Sequence, residues 1–236
     1  LNYWFTGRKA CEFSDATTTQ FYDPRKGAWS TDLLDRLDIP TRILPEIVPS
    51  GTLLGPLRST ISDELGAGPI DVIAPACHDT GSAVAAVPMT ETDAAYISCG
   101  TWALLGAEIP EPTITPDVLA HNFTNEGGVF GTYRFLKNIT GLWLVQECKR
   151  IWDLEGKTRS FAELTALAVQ AAPLVTLVDP DHAEFAAPGD FPERIRSLAA
   201  QTGQPKPDTD GAVIRCAVES LAMKCLHESS DPLSSA

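Results

Sequence analysis

Basic residues are scarce in this chain of 236 residues: 18 lysines and arginines stand against 31 aspartates and glutamates, a formal charge of −13. No basic stripe is left to neutralise a phosphate backbone, so nucleic acid is excluded as the expected partner. An anionic nucleotide stays compatible, because Mg2+ and local backbone N–H groups offset charge at a single site. Nor does any apolar run approach the ~20 residues that span a bilayer, and no membrane segment is expected. The six cysteines (Cys11, Cys77, Cys99, Cys148, Cys216 and Cys225) form no CxxC pair, which removes the zinc-knuckle reading and leaves reduced thiols in a cytoplasmic protein as the expectation. HxH and HExxH spacings are missing too, so a metal site at His78, Asp79 and His121 has no ligand pattern behind it. The sequons at Asn122 and Asn138 are tripeptides short enough to arise by chance. No internal repeat is present.

What is there is ordinary globular composition, 44% hydrophobic and 21% charged, in a length that suits one large domain or two modest ones. Leu33, Leu34 and Leu37, with Asp32 four residues before Arg36, predict a short helix closed before Pro40. Pro45, Pro49, Gly51, Gly55, Pro56, Gly66, Gly68 and Pro69 then mark a turn-rich stretch. Asp71 to Cys77 reads as a buried strand, and the small-residue series from Thr80 to Val87 as a closely packed helix. A linker at Pro88 to Asp93 separates this part from two strand-like runs that meet around Gly100 in a tight hairpin. Further strands are predicted at Val118 to Thr124 and Gly128 to Leu136. A helix over about 140–154 carries Leu144, Val145, Cys148, Ile151 and Trp152 on its apolar positions. Three more helices follow, two opened by the capping-box patterns Ser160-x-x-Glu163 and Asp190-x-x-Glu193 and the third starting at Asp208. The pattern predicts a two-domain α/β or α+β protein, with ligands favouring the cleft between domains and the carboxyl ends of strands, where Asp79 falls.

Asp79 has two readings. One is a helix N-cap that satisfies orphan N–H groups before Thr80-Gly-Ser-Ala; the other is a carboxylate that orients a substrate hydroxyl and accepts its proton as that oxygen attacks a phosphoryl group. Cys77 and His78, adjacent in an extended strand, would point to opposite faces and form no nucleophilic pair. Gly100 and Thr101 are either plain turn chemistry or a phosphate cradle, with a glycine that lets backbone N–H groups approach and a hydroxyl that donates. Asn138 precedes a helix and reads as its N-cap or a turn residue. Gln146 lies two turns along on the same side, where the alternatives are a cleft position and a solvated one beside Glu147, Lys149 and Arg150. Trp102, Trp143 and Trp152 read as core.

Several segments resemble the FGGY family of carbohydrate kinases: Leu1-Asn-Tyr-Trp-Phe-Thr-Gly7, Ala16-Thr-Thr-Thr-Gln20, Pro45-Glu-Ile-Val-Pro-Ser-Gly-Thr52, Cys77-His-Asp-Thr-Gly-Ser-Ala-Val84, Tyr96-Ile-Ser-Cys-Gly-Thr-Trp102, Phe123-Thr-Asn-Glu-Gly-Gly128 and Phe135-Leu-Lys-Asn-Ile-Thr-Gly-Leu-Trp143. The resemblance runs to about Lys224, after which the tail to Ala236 is polar, Ser-rich and atypical. It implies the actin-like, ribonuclease-H-like α/β ATPase fold, present as parts of two domains with a cleft between them: 1–88 in the first, sugar-binding domain and 89–236 in the second, nucleotide-binding one. It also implies transfer of the ATP γ-phosphoryl group, with Mg2+ on the phosphates, to the 1-hydroxyl of the ketose L-rhamnulose. On this resemblance Asp79 is the proton acceptor; His78, Asp79, Thr80 and Asn138 contact sugar; and Gly100, Thr101 and Gln146 contact ATP. The opening Asp-x-Gly-Thr type phosphate loop and a closing glycine-containing adenosine site are not visible. The expectation is therefore a piece cut at both ends and inactive alone, the alternative being a non-catalytic sugar-binding or scaffold protein derived from the kinase fold.

Overall fold

The computed structural model describes residues 1–91 and 94–229. The end of the expected linker, Asp93 included, and the tail beyond Ser229 lie outside the described residues; Cys225 to Ser229, placed in the atypical tail by sequence, continue the last helix.

In chain order the elements are α1 (Asn2–Thr6), β1 (Ala10–Glu12), α2 (Phe13–Thr18), β2 (Tyr22–Asp23), β3 (Ala28–Trp29), α3 (Thr31–Arg36), β4 (Glu46–Val48), β5 (Thr52–Pro56), α4 (Ser59–Leu65), β6 (Asp71–Ala74), α5 (Asp79–Ala85), β7 (Ala95–Cys99), β8 (Trp102–Ile109), α6 (Pro116–Ala120), β9 (Thr124–Gly127), β10 (Tyr133–Thr140), α7 (Trp143–Leu154), α8 (Phe161–Gln170), α9 (Phe191–Gln201) and α10 (Asp210–Ser229). Two compact units emerge. Of the described residues the first takes Leu1–Tyr96 and Gly106–Leu136, the second Ile97–Leu105 and 137–229.

Within the first unit β1 runs parallel to β4, and β5 pairs antiparallel with β6. Val48, Leu54 and Ala74 form a small core under these strands. The turn-rich stretch thus holds two strands and a helix: Leu54 faces inward, while Gly55 takes a φ of 129° at a register shift that bends β5. β6 is a strand as expected but not a buried one, since Ile73 is 56% exposed opposite Leu53 at 54%. The predicted strand from Val118 is instead helix α6, because Thr115 caps it by accepting from the Val118 N–H at 3.2 Å and Pro116 occupies its first turn. β9 begins only at Thr124 and pairs antiparallel with β10, which is displaced toward the C-terminus of its predicted span. The four-stranded sheet has the order β7-β8-β10-β9.

The second unit is mainly helical. α7 to α10 enclose Leu144, Cys148, Trp152, Leu164, Phe191, Ile195, Val213 and Ala217, side chains whose burial is worth ~1.5–3 kcal/mol each for the larger apolar ones. Ser160 and Glu163 complete the capping box at α8, and Asp190 accepts from the Glu193 N–H at α9. A second cluster, Ala103, Leu105, Ile139, Leu221 and Cys225, packs the end of α10 on strand residues. Among the described residues no helix is long and apolar enough to cross a membrane.

Candidate active site

Asp79 stands at the start of α5, on a bend that leaves β6 at Ala74. The bend is fixed from below by two buried side chains of α2 and its cap. Glu12, 2% exposed, accepts from the Cys77 N–H at 2.8 Å and from the Ser14 N–H at 3.0 Å, and both Ser14 and Ser50 hydroxyls donate to it. The Ser14 hydroxyl oxygen in turn accepts from the His78 N–H at 3.0 Å. Two consecutive peptide N–H groups ahead of Asp79 are therefore bound inside the protein, and an unmet buried donor there would cost about 1–3 kcal/mol. On the far side Ser82 donates to the Ala76 carbonyl at 2.6 Å.

The Asp79 carboxylate emerges from this bend with its side chain 97% exposed. One oxygen, Oδ1, accepts from the Thr80 N–H at 2.7 Å and lies 3.8 Å from Nε2 of His78. The N-cap reading does not hold: His78 occupies the cap position, and Asp79 is the first helical residue. Thr80 is buried, its hydroxyl 3.4 Å from Asp79 Oδ1, so its side chain faces the carboxylate. Cys77 and His78 lie on the bend rather than in a strand. Burial pushes the Cys77 thiol up, against the pull of the Asn2 amide, which disqualifies it as a thiolate nucleophile at neutral pH.

The residues nominated for ATP meet in the second unit. Gly100 and Thr101 form the exposed tip of the β7–β8 hairpin, and the Thr101 hydroxyl donates to Oε1 of Gln146 in α7 at 3.1 Å. The chain entering α7 is tied to the tip by Gly141 N–H and Trp143 N–H on the Thr101 carbonyl and by Leu142 N–H on the Gly100 carbonyl. The Gly100 N–H is spent on the Trp102 carbonyl at 2.8 Å. What Gly100 offers is open space, a Cβ there meeting nothing nearer than 3.8 Å. Asn138 is not the N-cap of α7, a position held by Leu142; it is an exposed residue of β10, pointing away from buried Ile139. Gln146 is half-buried rather than solvated.

Three features escaped the sequence reading. Trp102, taken as core, is 60% exposed and lines a cavity of about 340 Å3 with Thr101, Thr140, Trp143, Asp181 and Phe185. Glu12 acts on residues more than sixty positions away, which no local pattern announces. Arg134 is fully buried; the signal was a charge inside the strand run Tyr133-Arg-Phe-Leu136. Among the described residues no group of three or more His, Cys, Asp or Glu side chains is placed to hold a metal ion.

This α/β fold is similar to that of a Plasmodium falciparum glycerol kinase solved with ADP, at a TM-score of 0.65 and 16% identity, over 99% of this chain and 46% of that one. Residues 1–86 match the N-terminal domain of the FGGY family of carbohydrate kinases, and residues 95–227 match its C-terminal domain. The chain belongs to that family. It is 42% identical to a rhamnulokinase of Bacteroides thetaiotaomicron, over 95% of this chain and 45% of the relative. To a rhamnulokinase of Oceanobacillus iheyensis it is 41% identical, over 94% and 46%. The chain thus spans about half the length of the curated relatives it matches.

Proposed function

We propose that this chain carries the phosphoryl-accepting centre of a cytoplasmic, ATP-dependent kinase that phosphorylates the 1-hydroxyl of L-rhamnulose. The observation that carries the reading is Asp79: an exposed carboxylate on a bend bound from within, one oxygen held by a backbone N–H and the other without a hydrogen bond among the described residues. Membership of the FGGY kinases and similarity to rhamnulokinases support the reaction class and the choice of ketose. On this reading residues 1–88 belong to the sugar-binding domain and 89–236 to the nucleotide-binding one. His78, Asp79, Thr80 and Asn138 contact sugar. Gly100, Thr101 and Gln146 contact ATP.

The 1-hydroxyl oxygen attacks the γ-phosphorus, the bond to the β-phosphate oxygen breaks, ADP leaves, and the hydroxyl proton passes to Asp79. A carboxylate is a weak base toward an alcohol, so Asp79 chiefly orients the hydroxyl and takes the proton late. The exposed tip at Gly100 and Thr101 suits phosphate, with no side chain on the first and, on the second, a hydroxyl whose bond to Oε1 of Gln146 leaves the Gln146 NH2 group as the donor. Mg2+ bound with ATP would neutralise charge on the phosphate oxygens.

The test is Asp79→Asn in the protein at the length of its relatives. The isosteric amide should retain L-rhamnulose binding by calorimetry and lose ~10²- to 10⁴-fold in turnover. Turnover within threefold of the parent would remove Asp79 from the role.

A further inference from the structure

Arg134 is fully buried in β10, where guanidinium groups are rare. It lies opposite Glu126 of β9. Its Nε donates to the Gly127 carbonyl at 3.0 Å, its Nη2 donates to Glu126 Oε2 at 3.0 Å, and the same Nη2 lies 2.9 Å from Nδ1 of His78. The buried hydroxyl of Tyr96 also interacts with this guanidinium. A charge kept this far inside calls for an explanation beyond strand pairing.

We infer that Arg134 is a positioning residue that holds His78 as its Nε2–H tautomer. Arginine only donates and stays charged. A 2.9 Å approach of Nη2 to Nδ1 is attractive only when Nδ1 presents its lone pair; a hydrogen on Nδ1 would be set against the guanidinium hydrogen. Glu126 Oε2 is the competing acceptor for an Nδ1 proton, but it is farther, at 3.4 Å, and already receives Nη2. With Nδ1 bare, the imidazole hydrogen sits on Nε2, the nitrogen nearer Asp79. Asp15 of α2 is a further charged group that interacts with this imidazole.

The consequence is an ordered pair: a ligand oxygen at Nε2 must accept, and a ligand hydroxyl at Asp79 must donate. Its role in orienting sugar rests on the function proposed above. The reacting hydroxyl would give its hydrogen to Asp79 while a neighbouring substrate oxygen takes the hydrogen bond from His78.

Long-range proton–nitrogen spectra of the protein with 15N-labelled histidine read the tautomer directly, the His78 signals being those lost in His78→Gln. We expect Nδ1 in the unprotonated range and Nε2 in the protonated range. Arg134→Gln should shift both toward the averaged values of exchanging tautomers, whereas Glu126→Gln should keep the parent pattern. A general loosening of the strand pair would not separate these two variants. A protonated Nδ1 in the parent, or a tautomer switch in Glu126→Gln, overturns the assignment. If Arg134→Gln does not fold, the parent and Glu126→Gln decide the matter between them. Adding L-rhamnulose separates this from the sugar-kinase reading: an Nε2–H tautomer whose signals ignore the sugar upholds the role of Arg134 and overturns the sugar site.

Discussion

The hydroxyl of Thr101 donates to the side-chain oxygen of Gln146 at 3.1 Å, joining a hairpin tip to a helix 45 residues further on. With Oε1 so engaged, the Gln146 amide is oriented and its NH2 group is left as the donor. Thr101→Val and Gln146→Leu, made singly and together in the protein at the length of its relatives, should each raise the KM for ATP more than that for sugar. A hydrogen bond to a charged group is worth ~1.5–3 kcal/mol, about tenfold or more in affinity. The double variant should lose less than the sum of the singles, because the two side chains share a partner. Equal damage to both substrates would reduce Thr101 to turn structure.

Thiol accessibility gives a second prediction. All six cysteines are free, Cys99 is the exposed one, and it adjoins the Gly100 tip. Burial pushes the Cys148 thiol far up and that of Cys216 up to about 11, which leaves both protonated and inert at pH 8. A chromogenic disulfide reagent should therefore titrate one fast thiol, abolished in Cys99→Ser, with Cys148 and Cys216 reacting only on unfolding. Native labelling of Cys148 at the rate of Cys99 would contradict the packing of α7.

The helices α7 to α10 were the legible part of this fold, because α7 shows its buried positions Leu144, Cys148 and Trp152 at helical spacing and α8 carries both halves of its cap. The hairpin at Gly100 was likewise visible, and so were Asp79 and Thr101 as polar residues placed where turns end apolar runs. The rest depended on what each segment meets in space. Ile73 is as apolar as a core residue, and nothing in its own sequence reveals that it stays 56% exposed. Trp102 was judged by residue type, whereas its exposure follows from a position beside the hairpin tip. Glu12 looked like one acid among many; its importance comes from Ser14, Ser50 and Cys77 converging on it.

Acid stability should depend on Glu147. Its carboxylate takes a two-pronged contact from Arg150, at 2.8 and 2.9 Å, and the Gly189 N–H at 3.3 Å. Arg150 holds the carboxyl below its ordinary value against the opposing effect of burial. A carboxylate whose pKa is lowered by folding contributes stability above the unfolded value, near ~4.3, and loses it as pH falls through the lower folded value. Glu147→Gln should thus melt several degrees below the parent at pH 7, with the gap closing as the pH is taken below ~4. A gap that stays constant down to pH 3 would show that Glu147 acts through packing alone.

The site in the second unit should be most sensitive to a residue with no side chain. A Cβ on Gly141 would lie 2.6 Å from the Trp102 carbonyl carbon, 2.7 Å from the Ala103 nitrogen and 2.7 Å from the Gly100 oxygen. All three are backbone atoms, so no rotamer change relieves the contact. The backbone cannot retreat either, because Gly141 N–H and Trp143 N–H hold the Thr101 carbonyl and Leu142 N–H holds the Gly100 carbonyl. Overpacking in a close-packed interior costs ~1–3 kcal/mol even when side chains share the strain. Gly141→Ala should therefore lose about 3 kcal/mol in urea unfolding and displace the Thr101 hydroxyl from Gln146. Gly68→Ala is the control, since a Cβ there meets nothing within 4 Å, and it should stay within about 0.5–1 kcal/mol of the parent, with any gain coming from the unfolded chain. If the two variants unfold at the same urea concentration, the hairpin does not rest on Gly141 as described. If Gly141→Ala is destabilised yet binds ATP like the parent in the protein at the length of its relatives, the tip is structural and Thr101 is not a nucleotide contact.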